Sequence, residues 1–365
     1  MTKTITVIGA GNSGLAMAAH LTFNGHKVIL WNRSEDTIRS IIDGGQINYS
    51  GIINGTIKLH QVTTNIQRAI AQSELIMITT PASSHKDLAQ LLGPFIRDSQ
   101  MIVLNPGRTL GVIEFQYQLI KSGCHARPLI AETQSIIYTC RKLSWDTVKV
   151  LNFKRNILFS CLRPEDTEKI FAKIPKCLKA FLTPCSSIID TSFGNVGMIL
   201  HCAPVIFNTG WIEYKQVQFK YYYNGITQTI ANFLERLDKE RIMVAALLNI
   251  EIESTKDWLK RIYFASGDTL YECIQSIDAY KEIDAPETVR HRYIFEDIPT
   301  GLVPLEMIGK ILNLPMKNTG NIIDVANSLF ETDFRKIGRN SSKLGMGDLT
   351  DAKELLAFLN AGHFK

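Results

Sequence analysis

The segment Ile5–Gly14, with the sequence ITVIGAGNSG, decides the fold of the first part of this chain. It begins with a short apolar run, and Gly9, Gly11 and Gly14 follow at the spacing G-x-G-x-x-G. The next residues, Leu15–Leu21, are largely apolar and favour a helix. A strand, a glycine turn and a helix in this order are typical of a dinucleotide-binding unit with a parallel sheet.

Each of the three glycines has its own predicted role. Gly9 permits the tight turn, Gly11 lets the backbone approach a pyrophosphate, and Gly14 lets the helix and the strand pack closely. The free N–H groups at the start of the helix favour a bound phosphate. We therefore expect cofactor contacts from Gly9, Gly11, Asn12, Ser13 and Gly14.

The residues after the second strand distinguish NADP from NAD in this type of unit. Lys27–Trp31 is the predicted strand, and Asn32, Arg33 and Ser34 follow it. No carboxylate stands there to repel a 2′-phosphate. Arg33 can pair with that phosphate, and Asn32 and Ser34 can donate hydrogen bonds to it. The sequence favours NADP(H), with NAD as the alternative.

A later strand adds two residues to the predicted cofactor site. Leu75–Thr80 is a continuous run of apolar residues and threonines that is closed by Pro81. Since parallel strands end at one edge of their sheet, we expect Thr80 and Pro81 beside the cofactor.

Composition narrows the class of protein. The 365 residues suit two domains, and with 45% hydrophobic residues the chain can bury large cores. The net charge of +5 suits anionic small molecules, and no basic block interleaved with aromatic residues predicts nucleic-acid binding. The seven cysteines contain no C-x-x-C pair, which predicts reduced thiols rather than a disulfide frame or a metal site. With no predicted signal peptide or membrane span, we expect a cytoplasmic protein.

The order of predicted elements indicates two domains. Up to about residue 188, apolar strands alternate with helical stretches, which predicts an α/β Rossmann-type parallel sheet. Further strands are expected at Met101–Leu104 and Pro128–Ala131, and two more at the sheet edge, Val148–Leu151 and Asn156–Cys161. A hairpin or loop is expected at Gln46–Gln61.

Helical spacing dominates the rest of the chain, so an all-helical C-terminal domain is predicted over 189–365. Its predicted helices are Val196–Glu213, Thr227–Leu248, Ser254–Ala265, Leu270–Gln275, Leu302–Leu312, Ile322–Leu329 and Ala352–Asn360.

Two segments of the second domain carry polar residues in unusual places. His201 lies among apolar residues of a predicted helix, where a histidine is more often a satisfied core residue than a catalytic one. Asn208 follows two turns later on the same predicted face. In the second segment, Arg292 and Asp297 precede a predicted turn at Pro299–Gly301. Asp297 could orient an imidazole and Arg292 could bind a carboxylate, although a charged loop would read the same way.

These segments resemble those of the opine dehydrogenases, the octopine/nopaline dehydrogenase group. The resemblance rests on N-x5-H-x2-P-x3-N-x-G from Asn195, on H-R-Y-x2-E-D-x-P-x-G-L-V-P from His291, and on the length of the first domain. It implies that His201 and Asp297 do acid–base work and that Arg292 binds the carboxylate of a 2-oxo acid. Thr133, at the end of a strand, and Asn208 are the predicted substrate-binding residues.

The resemblance implies an NAD(P)H-dependent reductive condensation of an amino acid with a 2-oxo acid such as pyruvate, through an imine. Two alternatives stay open. One is a 2-oxo or hydroxy acid reductase of the ketopantoate reductase or glycerol-3-phosphate dehydrogenase type. Against it, no lysine occurs between Ser192 and Pro204, where several such enzymes carry one. The other is a catalytically silent NADP(H)-binding sensor. The expected partners are small molecules, without nucleic acid or membrane, and a homodimer is left open.

Overall fold

The computed structural model describes residues 2–347, 349 and 351–361. The chain divides into two compact units. The first contains residues 2–107, 111–191 and 360–361, and the second contains residues 108–110 and 192–359. The last predicted domain, 189–365, therefore includes residues 348, 350 and 362–365, which lie outside the described residues.

The strands of the first unit form two sheets. The twelve strands are β1 Thr4–Ile8, β2 Lys27–Trp31, β3 Gln46–Gly51, β4 Gly55–Lys58, β5 Gln61–Thr63, β6 Leu75–Ile78, β7 Met101–Leu104, β8 Leu129–Thr133, β9 Tyr138–Lys142, β10 Thr147–Phe153, β11 Ile157–Cys161 and β12 Leu182–Pro184.

The larger sheet has the order β12-β11-β8-β7-β6-β1-β2-β5. Its strands pair in parallel except at β11, which runs antiparallel to β8. The central strands β6 and β7 are buried at every position, as expected for parallel strands that are covered on both faces. The predicted Rossmann-type parallel sheet is confirmed.

The smaller sheet has the order β4-β3-β10-β9. The hairpin predicted within Gln46–Gln61 is confirmed as the antiparallel pair β3–β4. The prediction that Val148–Leu151 extends the edge of the main sheet is wrong, because these residues belong to β10 of the smaller sheet. An apolar run shows that a strand forms but does not show which sheet it joins.

The helices follow the predicted spacing closely in the second unit and less closely in the first. They are α1 Asn12–Phe23, α2 Arg39–Ile42, α3 Ile66–Ile70, α4 His85–Leu92, α5 Gly111–Lys121, α6 Thr167–Lys173, α7 Lys176–Lys179, α8 Ile188–Phe193, α9 Gly197–Phe207, α10 Thr209–Glu213, α11 Gln228–Leu247, α12 Thr255–Tyr263, α13 Leu270–Ser276, α14 Arg292–Phe295, α15 Val303–Ile311, α16 Lys317–Phe330, α17 Phe334–Ile337, α18 Ser341–Leu344 and α19 Ala352–Ala361.

Two local predictions in the second unit are wrong. The single helix predicted over Val196–Glu213 is broken between α9 and α10 at Asn208, whose φ of −111° and ψ of 17° leave the helical region. The predicted turn at Pro299–Gly301 is part of a π-helical turn, Ile298–Leu302, that leads into α15. Single turns of this kind occur often at functional sites.

No helix among the described residues is both long and apolar enough to cross a membrane.

Candidate active site

The glycine turn between β1 and α1 is closed at two of its glycines and open at the third. A Cβ atom on Gly14 would lie 1.8 Å from the carbonyl oxygen of Gly9, and Gly9 itself has a φ of +104°. A Cβ atom on Gly11 would meet no atom within 4 Å. Because Gly11 also caps α1 without a side chain, the backbone there is accessible to a phosphate group. This arrangement fits a dinucleotide.

Two asparagines shape the turn. Asn32 Oδ1 accepts a hydrogen bond from the Ala10 amide at 3.1 Å, and its Nδ2 donates to the Ser34 carbonyl at 2.9 Å. Asn12 Oδ1 accepts from the main-chain amide of Lys142 at 2.8 Å, and Lys142 Nζ donates to the Ala10 carbonyl at 3.3 Å. The smaller sheet thus brings a cation to the turn from 130 residues away, and sequence reasoning missed it.

The remaining predicted cofactor residues surround this turn. Arg33 and Ser34 are exposed after β2, and the nearby Asp36 is paired with Arg39. Ser13 contacts the Cys140 thiol, and the Thr80 methyl group lies on the closed side of the turn, 2.9 Å from a Cβ atom built on Gly9. Pro81 is exposed, immediately before the short 3₁₀ turn Ala82–Ser84.

The second unit brings together two of the residues that the sequence singled out. His201 lies on α9, an apolar helix that is almost fully buried, and only 14% of its side chain is exposed. Its Nδ1 is 2.9 Å from Oδ2 of Asp297, which is fully buried between α14 and the π-helical turn. The Tyr293 ring stacks on the imidazole with a centroid separation of 3.9 Å. The pair therefore holds the imidazole in a fixed orientation.

Tyr222 lies on the other nitrogen of the imidazole. Its hydroxyl is 3.1 Å from His201 Nε2, and burial raises the pKa of that hydroxyl well above its ordinary value. A protonated hydroxyl donates to Nε2, and an ionised Asp297 accepts from Nδ1. The two contacts together select the neutral imidazole that carries its proton on Nδ1, so Nε2 is the nitrogen that can take up a proton.

A proline explains a neighbouring contact. Pro204 lies inside α9 and has no N–H, so the Leu200 carbonyl loses its helical partner. The Tyr221 hydroxyl approaches this carbonyl at 3.4 Å and donates to the His201 carbonyl at 2.7 Å. Both tyrosines therefore contact the turn that carries His201.

Opposing effects set the charges of this pair. Burial alone would raise the pKa of Asp297, but the Arg108 guanidinium and the His201 contact lower it to about 2. Burial lowers the pKa of His201, Asp297 raises it, and Arg108 and Arg292 lower it further. The pair at neutral pH is an Asp297 carboxylate and a neutral imidazole.

Arg292 lies one helical turn before Asp297 on α14. Its Nε is 3.3 Å from Glu296 Oε2, and 54% of its side chain is exposed. The guanidinium is thus anchored at one edge and accessible at the other. Its charge reaches both members of the pair, since it lowers the pKa of His201 and of Asp297.

The two predicted substrate-binding residues are buried and engaged with backbone. Asn208 Nδ2 donates to the carbonyls of Pro204 and Gly225, both at 2.8 Å. Thr133 lies at the end of β8 in the first unit, and its hydroxyl is 3.4 Å from the Leu104 carbonyl. Contact of either residue with a substrate stays a prediction.

Sequence reasoning missed Arg108 and gave no role to Tyr222. Tyr222 stood in a run of tyrosines that is typical of helix packing. Arg108 follows the strand-end turn Asn105–Gly107, and that position was the available signal. Neither spacing nor periodicity places these two residues beside His201.

Comparison with known proteins agrees with the two-unit organisation. Residues 184–330 match the family model described as the NAD/NADP octopine/nopaline dehydrogenase alpha-helical domain, and residues 4–121 match that of the NAD-dependent glycerol-3-phosphate dehydrogenase N-terminus. The chain is 35% identical to an opine dehydrogenase of Arthrobacter sp. (strain 1C), over 96% of this chain and 97% of that protein.

Solved structures share the fold. A structure of octopine dehydrogenase with NADH and L-arginine superposes with a TM-score of 0.77 at 16% identity, covering 98% of both chains. A structure of yersinopine dehydrogenase with NADP+ bound gives a TM-score of 0.75 at 12% identity, covering 99% of this chain and 98% of the other.

Proposed function

The chain belongs to the opine dehydrogenase family, and we propose that His201, Asp297 and Arg292 carry the acid–base and carboxylate-binding steps of its reaction. The enzyme is an NAD(P)-dependent oxidoreductase that reductively condenses an amino acid with a 2-oxo acid through an imine. A reductase of the ketopantoate or glycerol-3-phosphate type and a silent sensor are not favoured, because the family relationship spans both units.

The observation that carries the assignment is the buried His201–Asp297 pair, with 2.9 Å between Nδ1 and Oδ2. An imidazole that is oriented by a carboxylate and keeps its second nitrogen for proton transfer is the usual form of a general acid–base catalyst. In this role, His201 Nε2 accepts a proton from the attacking amine. It returns a proton to the hydroxyl that leaves as water when the imine forms.

Asp297 and Tyr222 determine which nitrogen does this work. Asp297 retains the proton on Nδ1 and stabilises the imidazolium when Nε2 is also protonated. The Tyr222 hydroxyl donates to Nε2 in the neutral state and accepts from it in the charged state. The proton on the reacting nitrogen is thereby held in one position.

Arg292 supports binding of the 2-oxo acid. Its guanidinium is half exposed and is anchored by Glu296, so a substrate carboxylate can reach its free edge. A bidentate pair between guanidinium and carboxylate fixes the position and orientation of the keto carbon next to the carboxylate. The amino acid and the 2-oxo acid that this enzyme uses are left to experiment.

The glycine turn would hold NADP(H), which supplies the hydride that reduces the imine when it is bound. The open side at Gly11 and the start of α1 suit its pyrophosphate, and exposed Arg33 and Ser34 suit a 2′-phosphate. Preference for NADP over NAD is part of this proposal. The boundary at residue 188, the cytoplasmic location and a homodimer also stay predictions.

The test is an NADPH oxidation assay over a grid of amino acids and 2-oxo acids, with controls that omit one substrate. Oxidation that requires both an amine and a 2-oxo acid is the expected result. Oxidation with a 2-oxo acid alone would contradict the proposal and point to a hydroxy acid product.

A further inference from the structure

Arg108 is a buried cation whose role nothing so far explains. It belongs to the second unit, and its side chain is 9% exposed. Its Nη1 donates to Asn195 Oδ1 at 3.0 Å and lies 3.3 Å from Asp297 Oδ1. Its Nε lies 3.5 Å from Glu296 Oε1. One guanidinium therefore contacts two carboxylates that are adjacent in the chain.

The two carboxylates pose an electrostatic problem. Glu296 and Asp297 are 4% and 0% exposed, and neighbouring buried anions repel each other. Without a compensating cation, such a pair takes up a proton on one of its members. A protonated Asp297 could no longer accept the Nδ1 proton of His201 in the same way. The cation that lies between the pair thus affects whether His201 keeps its partner.

The surroundings of Arg108 are built to hold it there. Its φ is +63°, a left-handed conformation that costs energy for a residue other than glycine and occurs often at functional sites. Gly197 leaves room for the guanidinium, because a Cβ atom on Gly197 would lie 2.5 Å from Arg108 Nη1. Asn195 fixes its orientation.

We propose that Arg108 is a positioning residue, which holds Glu296 and Asp297 as anions so that Asp297 Oδ2 keeps the His201 proton on Nδ1 and Nε2 stays the reacting nitrogen. The proposal rests on the proposed function of the His201–Asp297 pair. It assigns Arg108 no contact with substrate. It differs from a purely structural ion pair because it predicts a change in the titration of His201.

Several titratable groups face His201 and contribute to that titration. They are Asp297, Arg108, Arg292, His291, Tyr222 and Tyr293. Among the cations, Arg108 precedes Arg292 in its effect on the pKa of His201, and it is also the first cation that lowers the pKa of Asp297. Removing its charge therefore raises the pKa of both groups.

The experiment measures the pKa of His201 directly in the full-length protein with ¹³C-labelled histidine, using His201→Asn to assign the signal. In Arg108→Met, we expect the pKa of His201 to rise by about one unit. The limb of the pH–rate profile that follows His201 should move upward equally, and kcat should fall about 10-fold. In Arg108→Lys, which keeps the charge, the pKa should stay near its wild-type value.

Gly197→Ala serves as a second variant in case Arg108→Met does not fold, since its methyl group displaces the guanidinium without removing the charge. It should raise the pKa of His201 in the same direction by a smaller amount. An unchanged pKa in folded Arg108→Met, or in folded Gly197→Ala where the first variant does not fold, would overturn the proposal.

Arg339→Met is the matched control. Arg339 is also a buried arginine, 1% exposed, and its Nη1 donates to the Thr109 carbonyl at 2.8 Å. This variant should lower the melting temperature and leave the pKa of His201 unchanged. An equal shift in Arg339→Met would show general loosening of the unit and would also overturn the proposal.

The activity of His201→Asn separates this inference from the proposed function. If His201→Asn turns over normally, the function assigned to the pair fails first. If it is inactive and folded Arg108→Met titrates like wild type, only the role of Arg108 fails.

Discussion

The glycine turn of the first unit and the histidine site of the second unit are built in opposite ways. The turn depends on missing side chains, since a Cβ atom on Gly14 would lie 1.8 Å from the Gly9 carbonyl oxygen. The histidine site depends on buried charged and aromatic side chains that come from distant segments, including Arg108, Tyr222 and Asp297. Substitutions should therefore act through sterics in the turn and through charge balance in the histidine site.

The largest effect after removal of His201 itself is expected from Asp297→Asn. Loss of the carboxylate frees the orientation of the imidazole, and we expect kcat to fall by roughly 10³-fold. Because the charge of Asp297 raises the pKa of His201, the limb that follows His201 should move to lower pH, opposite to the shift in Arg108→Met. The pH dependence of kcat/KM measures this. Asp284→Asn, at an exposed pair with Lys220, is the control and should behave as wild type.

The next effect concerns Arg292→Gln. Loss of a charged, bidentate contact should raise KM for the 2-oxo acid by roughly 10²-fold and leave KM for the amino acid closer to wild type. Steady-state kinetics with each substrate varied in turn measures the difference. Arg290→Gln, at an exposed neighbour, is the control. An unchanged KM for the 2-oxo acid in Arg292→Gln would remove Arg292 from the site.

The glycines allow a matched pair of variants. Gly14→Ala should lower the free energy of unfolding by about 1–3 kcal/mol, because its methyl group overlaps the Gly9 carbonyl. Gly11→Ala meets open space, so its stability should stay within about 0.5 kcal/mol of wild type. The Kd for NADPH in Gly11→Ala should nevertheless rise about 10-fold, or 1.4 kcal/mol, if the pyrophosphate approaches there. Denaturant unfolding and calorimetric titration measure the two effects, and an unchanged Kd would place the pyrophosphate elsewhere.

Much of the first unit follows from local sequence, and the glycine turn shows why. Its three glycines and the flanking strand and helix lie within one short segment, so their spacing defines the geometry. The strands β2 and β7 and the helix α4 were predicted at the residues where they occur. The assignment of β10 to the smaller sheet and the approach of Lys142 to the turn depend on long-range pairing, which periodicity does not encode.

The histidine site was only partly predictable for the same reason. His201 was visible as a histidine on an apolar helix, and Asp297 and Arg292 were visible through a family resemblance. Arg108 is far from them in the chain and contacts Asp297 only because the unit folds as it does. The helix break at Asn208 depends in part on its bond to the Gly225 carbonyl, a contact across 17 residues.

The smallest effect is expected at the end of β2. Arg33→Gln should raise the Kd for NADPH by about 10-fold and leave the Kd for NADH unchanged, because only NADPH carries the 2′-phosphate. Arg39→Gln is the control, since Arg39 is exposed but is paired with Asp36. Fluorescence titration with both cofactors measures the ratio. Equal changes for NADPH and NADH would contradict the preference for NADP.

The most direct measurement is the turnover of His201→Asn with an amino acid and a 2-oxo acid that wild type condenses, with the Kd for NADPH measured on the same preparation. If His201 is the acid–base catalyst, kcat falls by ~10²-fold or more while the Kd for NADPH stays at its wild-type value. Turnover near that of wild type, with the cofactor bound normally, would show that the His201–Asp297 pair does not carry the reaction.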